Sequence, residues 1–183
     1  MTNHIIIDPG HGVNSRPVYP DGACETAIVW DVALILAGLL VEDEFEVTLT
    51  KSSRDEKPTL AARRKIKGDV FVSLHCNAAS SSEARGASCI YADKIGKKLG
   101  ETISQELSDY TGFNLRGVRG AHLWYRAPIV PGVLKHNKAK AAVIVECGFL
   151  TNDDDRKFLN SKEGKLGYAM GVFWGICEFL REG

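Results

Sequence analysis

The chain has 183 residues and carries 23 basic and 23 acidic side chains, a formal net charge of zero at pH 7. No long run of either sign occurs, so there is no electrostatic footprint for nucleic acid or for an anionic membrane. A content of 44% hydrophobic and 25% charged residues is that of an ordinary globular protein, at a length suited to one domain with a substantial core.

The first element is "HIIID", where three β-branched residues predict a stiff buried strand. Pro9 and Gly10 end it abruptly and deliver His11 onto a sharp turn. In "ETAIVWDVALILAGLLVED" the apolar positions Ile28, Val29, Val32, Leu36, Leu39 and Leu40 have the spacing of a helix with a broad buried face. "FEVTLT" predicts a second strand, and "PTLAARRKI" a short helix opened by proline. "DVFVSL" is continuously apolar, the mark of a central strand, and "GASCIY" reads as a fourth.

In "DKIGKKLGETISQELSDYTG" the residues Ile95, Leu99, Ile103 and Leu107 form one stripe, and a glycine stops the helix. The region from Phe113 to Asn137 is rich in Gly, Arg, Pro and aromatics, which predicts a long surface segment with one short strand around "HLWY". "KAAVIVE" is the last buried strand. "NDDDRKFLN" begins a helix with an Asn cap and acids in its first turn, and "KLGYAMGVFWGICEFL" forms a mostly apolar terminal helix. Strands alternating with helices predict an α/β fold.

The N-terminus lacks the basic segment and apolar core of a secretory signal, and no apolar run is long enough to span a bilayer. Synthesis in the cytoplasm is the expectation. The five cysteines are odd in number and scattered, with no Cys-x-x-Cys pair, which argues against a disulfide framework or a cysteine zinc knuckle. No repeat, low-complexity tract or linker divides the chain.

Polar residues stand where buried strands end: His11 after the first, His75 in "FVSLHCNA", and Glu146 in "AVIVECGFLTN". Ligands of open α/β sheets bind beyond the carboxyl ends of parallel strands. Glu25 joins them from the first turn of the first long helix, where the helix dipole alone would explain a carboxylate. Each residue taken singly has an ordinary surface reading. Two imidazoles and two carboxylates at the edges of buried elements point instead to a metal site. Two His and one carboxylate make a catalytic zinc ligand set with a fourth position for water, whereas magnesium or calcium would call for more oxygens.

In order along nearly the whole chain, "IIIDPGHG", "ETAIVWDVALIL", "SSRDEKPTLAARRKIKGDVFVSLHCNA", "RGASCIY", "NLRGV" and "VIVECGFLTNDDDRKFLN" resemble the zinc-dependent N-acetylmuramoyl-L-alanine amidases of the amidase-3 type, found in bacterial cell-separation enzymes and phage endolysins. The resemblance implies a single α/β domain over residues 1–183, with a central mixed, mostly parallel sheet of about six strands flanked by helices; no separate wall-binding domain is expected. It implies one zinc per chain held by His11, Glu25 and His75, with Glu146 as the catalytic carboxylate. The substrate implied is peptidoglycan, cut at the amide joining N-acetylmuramic acid to L-alanine. Asp8 either orients His11 or holds the turn.

Thr26, Val29 and the stretch "ARRKIKGD" depart from the family pattern without touching a proposed ligand. Cys76 and Cys147 adjoin site residues on strands and so point to the opposite face, as small hydrophobes. Trp124, Tyr125 and Arg126 are candidates to line a groove, and His122 and His136 are read as non-ligands. The segment "FNLRGVRGAHLWYRAPIVPGVLKHNK" is too short for the inserted blocking helix of some relatives, which predicts an open site. A phage or prophage endolysin acting on the wall after release, as a monomer, is the expected setting. Two other readings are carried alongside: a zinc peptidase or deacetylase acting on another wall amide, and a non-catalytic wall-binding module.

Overall fold

A computed structural model describes residues 2–12, 17–121 and 131–182. Along the chain run β1 (His4–Pro9), α1 (Glu25–Glu42), β2 (Glu46–Leu49), α2 (Leu60–Arg64), β3 (Val70–Asn77) and β4 (Ala87–Tyr91). They are followed by α3 (Lys94–Thr111), β5 (Leu115–Gly120), β6 (Ala141–Phe149), α4 (Asp153–Asn160) and α5 (Lys162–Glu182). The strands form one mixed sheet in the order β2-β1-β3-β6-β4-β5. β2, β1, β3 and β6 pair in parallel, β4 runs antiparallel to β6, and β5 is parallel to β4.

The strand order reverses between β1 and β3. From β1 the chain moves outward through α1 to β2, then returns to the other side of β1 to make β3. Such a reversal opens a crevice beyond the carboxyl ends of the two strands. His11 follows β1 and His75 lies near the end of β3, so both meet that crevice.

The two sheet faces carry unequal cores. Ile5, Ile7, Val70, Val72, Leu74, Val143 and Val145 point to one face and are buried under α1, α3 and α5. Alternation sends Ile6, Phe71, Ile90, Ala142 and Ile144 to the other face, where Ala121, Val133 and Leu134 cover them in a smaller cluster. Cys76 and Cys147 are buried in the larger core, on the side away from His75 and Glu146. Burial pushes both thiols well above their ordinary pKa, as expected of small apolar fillers.

Helix ends follow their local chemistry. Asn152 accepts a hydrogen bond from the Asp155 amide at 3.1 Å, Asp93 from that of Gly96 at 2.8 Å, and Thr59 from that of Ala62 at 3.1 Å. Gly112 ends α3 in the left-handed region at φ 69°. A Cβ on Gly171 would stand 2.7 Å from the Leu107 Cα, and one on Gly175 2.4 Å from the Ile103 Cα. These two glycines let α5 lie directly on the α3 backbone.

One expectation needs correction. Ile95 is 53% exposed, and the buried stripe of α3 is instead Gly96, Leu99, Gly100, Ile103, Ser104 and Leu107. The wall of that groove next to Ala142 is backbone, where only Gly96 fits. A strand also forms earlier in the Phe113–Asn137 segment than "HLWY", at Leu115–Gly120; residues 122–130, which contain "HLWY", lie outside the described residues. β5 is an edge strand whose arginines face solvent and whose Gly117 sits at φ 85°, so it lacks the alternating apolar pattern that marks a strand.

Candidate metal centre and active site

The site begins with a turn that only a particular sequence tolerates. The Gly10 amide continues the β1–β3 ladder by donating to the Leu74 carbonyl at 2.9 Å. A Cβ on Gly10 would stand 2.5–2.7 Å from three atoms of the His75 ring, so glycine leaves the space the imidazole fills. His11 itself is held at φ 58°, a conformation unfavourable for a non-glycine residue and typical of functional sites. Lys51, 3% exposed, donates to the His11 carbonyl at 2.9 Å and to that of Arg54 at 3.2 Å, fastening the turn from below. Its ammonium also lies 5.6 Å from the centroid of the Trp30 ring.

Glu25 reaches the same point from the first residue of α1. Its Oε1 lies 3.3 Å from His11 Nε2 and 3.1 Å from His75 Nδ1, and accepts a hydrogen bond from the Cys76 amide at 3.1 Å. The two imidazole rings meet edge to face, with centroids 4.8 Å apart. Burial alone would raise the Glu25 pKa, yet hydrogen bonds and charge from the two imidazoles outweigh it and hold the carboxyl at about 2. Burial would lower the His75 pKa, but Glu25, Glu146 and Asp8 together raise it above the ordinary imidazole value. The pocket is therefore built to hold positive charge.

His11, Glu25 and His75 offer three donor atoms that all lie within 4.8 Å of one another, the one such cluster among the described residues. A tetrahedral ion with bonds of about 2.0–2.1 Å separates its ligand atoms by about 3.3–3.4 Å. The two Glu25 distances are close to that edge length. Two nitrogens and one carboxylate oxygen fit a borderline-soft divalent ion such as zinc, with room for a fourth ligand.

Glu146 is the register partner of His75 across the β3–β6 pair, so both side chains leave the sheet on the same face. With His11 and His75 it lines a cleft of about 610 Å³, lined also by Leu60, Pro131, Val133 and Ile144. Its lining combines ionisable and apolar side chains.

Asp8 is fully buried and turns its carboxylate away from solvent into a clamp. Oδ1 accepts from Thr50 Oγ1 at 2.6 Å and Arg63 Nε at 2.6 Å, while Oδ2 accepts from Ser73 Oγ at 2.6 Å and Arg63 Nη2 at 2.5 Å. It thereby ties the ends of β1 and β2 to β3 and α2. Desolvation works to raise its pKa, but Arg63, Ser73 and Thr50 bring it below the usual carboxylate value.

Sequence reasoning did not single out Lys51, Arg63 or Tyr168. The Tyr168 hydroxyl accepts from the His75 amide at 3.2 Å and lies 3.0 and 3.1 Å from the carbonyls of His75 and Val145. It satisfies backbone groups where the β3–β6 register shifts between His75 and Asn77. A polar aromatic inside the apolar terminal helix was the available signal. His136 is exposed at φ 57° and is not part of the donor cluster. His122, Trp124, Tyr125 and Arg126 lie outside the described residues, as does the middle of the segment expected to leave the site open. Among the described residues no helix is long and apolar enough to cross a membrane.

Known proteins share this fold. The chain is 28% identical over 186 residues to the N-acetylmuramoyl-L-alanine amidase LytC of Bacillus subtilis, an alignment covering 97% of this chain and 35% of that protein. The chain thus spans about a third of that relative's length. Its structure resembles the CwlD amidase of Clostridioides difficile, solved in complex with the GerS lipoprotein, with a TM-score of 0.85, 29% identity and full coverage of both chains. The catalytic domain of CwlV, an N-acetylmuramoyl-L-alanine amidase from Bacillus (Paenibacillus) polymyxa var. colistinus, gives a TM-score of 0.86 at 27% identity, covering 98% of this chain and 99% of that one. The family described as N-acetylmuramoyl-L-alanine amidase, Amidase_3, matches residues 5–178, and with the sheet, the donor cluster and Glu146 in one crevice the chain belongs to that family.

Proposed function

We propose that this chain hydrolyses the amide between N-acetylmuramic acid and L-alanine in peptidoglycan, using zinc held by His11, Glu25 and His75. The observation that carries the reading is the donor cluster at the switch point of the sheet, with Glu146 in register beside it. Family membership supplies the substrate. When bound, zinc supplies Lewis acidity toward the scissile carbonyl and acidifies a water.

The protein's own groups do the rest. Gly10 and Lys51 fix the His11 turn, and the Cys76 amide orients the Glu25 carboxylate while Tyr168 holds the His75 backbone. Glu146 takes the proton of the attacking water and returns it to the departing alanine nitrogen, because an amine leaves only when protonated. A binding module would have no use for that carboxylate, which favours catalysis over the wall-binding reading.

The test is digestion of purified peptidoglycan with the zinc-loaded protein, followed by identification of the new end groups. Free L-alanine amino groups without new reducing sugar ends are expected. New reducing ends would indicate a glycosidase, and amino groups on other residues a peptidase or deacetylase. The phage or prophage setting is a separate part of the proposal. It predicts that protein made inside a host cell lyses it only once the inner membrane is permeabilised. Gel filtration giving a single species of 20.0 kDa would support the monomer.

A further inference from the structure

One cation in the cleft is not used by the fold. Lys57 lines the same cleft as His11, His75 and Glu146, and its side chain is exposed. The other cleft cation, Arg63, is consumed by the buried Asp8 carboxylate. The acids next to Lys57 in sequence are also engaged elsewhere. Glu56 accepts from the amide and hydroxyl of Ser52 at 2.7 and 2.8 Å, and Asp55 pairs with Arg54 at 3.3 Å. Among the described residues Lys57 has no acidic or hydrogen-bonding partner.

Its root is nonetheless well placed. A Cβ built on Gly12 would stand 2.9 Å from the Lys57 Cβ and 3.3 Å from its Cγ. Lys57 therefore leaves the loop against Gly12, the residue that follows His11 in the turn. An ammonium anchored there and open to the cleft is suited to an anion of the substrate near the scissile bond.

The substrate class offers such an anion. In peptidoglycan stems the residue after L-alanine is a glutamyl unit joined through its side-chain carboxyl, so its α-carboxyl is a carboxylate in some walls and a carboxamide in others. Its α-carboxyl carbon lies two backbone repeats from the scissile carbonyl carbon, about 6.6–7.2 Å of extended chain, a distance that a lysine side chain rooted beside the site can bridge. We infer that Lys57 is a specificity-determining residue that pairs with this carboxylate and makes the chain prefer stems whose glutamyl α-carboxyl is not amidated. The inference rests on the amidase reading above. In the same cleft Glu146 would repel an incoming carboxylate, and Lys57 offsets that repulsion.

The experiment compares kcat/KM of the zinc-loaded protein on two muropeptides that differ only in this carboxylate or carboxamide. The unmodified chain is expected to favour the carboxylate about fivefold, the upper range for an ion pair still open to solvent, with the difference in KM rather than kcat. In Lys57→Met the ratio should collapse to near one, and in Lys57→Arg it should persist. Added salt should shrink the ratio in the unmodified chain but not in Lys57→Met. Equal rates on the two substrates, or a preference that survives Lys57→Met, would overturn the role of Lys57 while leaving the amidase reading intact. Failure to cleave either substrate at the muramoyl–alanine amide would overturn both.

Discussion

Arg63→Met is expected to destabilise the protein by about 3–4 kcal/mol at pH 7, the range for removing one partner of a buried ion pair. Asp8 is fully buried, and the Arg63 side chain is 14% exposed, so solvent screens the pair little. The Thr50 and Ser73 hydroxyls remain as donors and keep the loss toward the lower part of the range. The pH dependence should change sign. In the unmodified chain the Asp8 pKa is depressed, so its contribution is present above the unfolded value of about 3.9 and is lost as pH falls through the lower folded value. Without Arg63, burial dominates and the folded pKa rises above the unfolded one. The variant should then lose stability as pH rises from about 4 through that folded value. Urea denaturation in chelator from pH 4 to 7, with the unmodified chain and Asp8→Asn/Arg63→Met in parallel, measures this directly. Chelation removes zinc linkage, and the contribution of Glu25 cancels in the differences. The double variant should recover more than half of the loss. A cost for Arg63→Met below about 1 kcal/mol, with no growth between pH 4 and 7, would refute the clamp.

Other perturbations separate the roles within the site. Glu146→Gln should keep zinc and thermal stability near the starting values while turnover falls by roughly 10²–10⁴-fold; Glu25→Gln should lose zinc, and elemental analysis beside turnover distinguishes the two. Gly10→Ala places a methyl inside the His75 ring position and should weaken zinc binding at least about tenfold by competition titration, the scale for disturbing a ligand's support. Zinc affinity should fall as pH drops through the raised His75 pKa, because the imidazole must be neutral to bind, while Glu25, at about 2, stays charged throughout. Affinity that is flat from pH 8 to 5 would count against His75 as a ligand.

The sheet was legible where composition alone forces burial. Ile5–Ile7, Val70–Val72 and Ala141–Val145 are apolar on both faces, and every one of these elements is a strand of the sheet. The helix caps at Asn152 and Gly112 and the inward-facing Cys76 and Cys147 were legible for the same reason, since local chemistry or strict alternation decides them. His11, Glu25, His75 and Glu146 could be picked out because polar residues at the ends of such strands demand an explanation. What distance separates them was not legible. The 3.1 and 3.3 Å contacts of Glu25 exist because the strand order reverses between β1 and β3 and brings α1 over that gap, and pairing order is a property of the whole chain. β5 escaped notice because an exposed edge needs no apolar pattern, only a neighbour to pair with. Ile95 was misplaced because α3 turns Gly96 to the β6 backbone, and close backbone approach leaves no hydrophobic signature. Nothing local to Arg63, Lys51 or Tyr168 in the sequence marks a role at the site. Only the tertiary structure brings the first onto Asp8, the second under His11 and the third against His75, because each acts across more than 35 residues of chain, where no local pattern can record a partner.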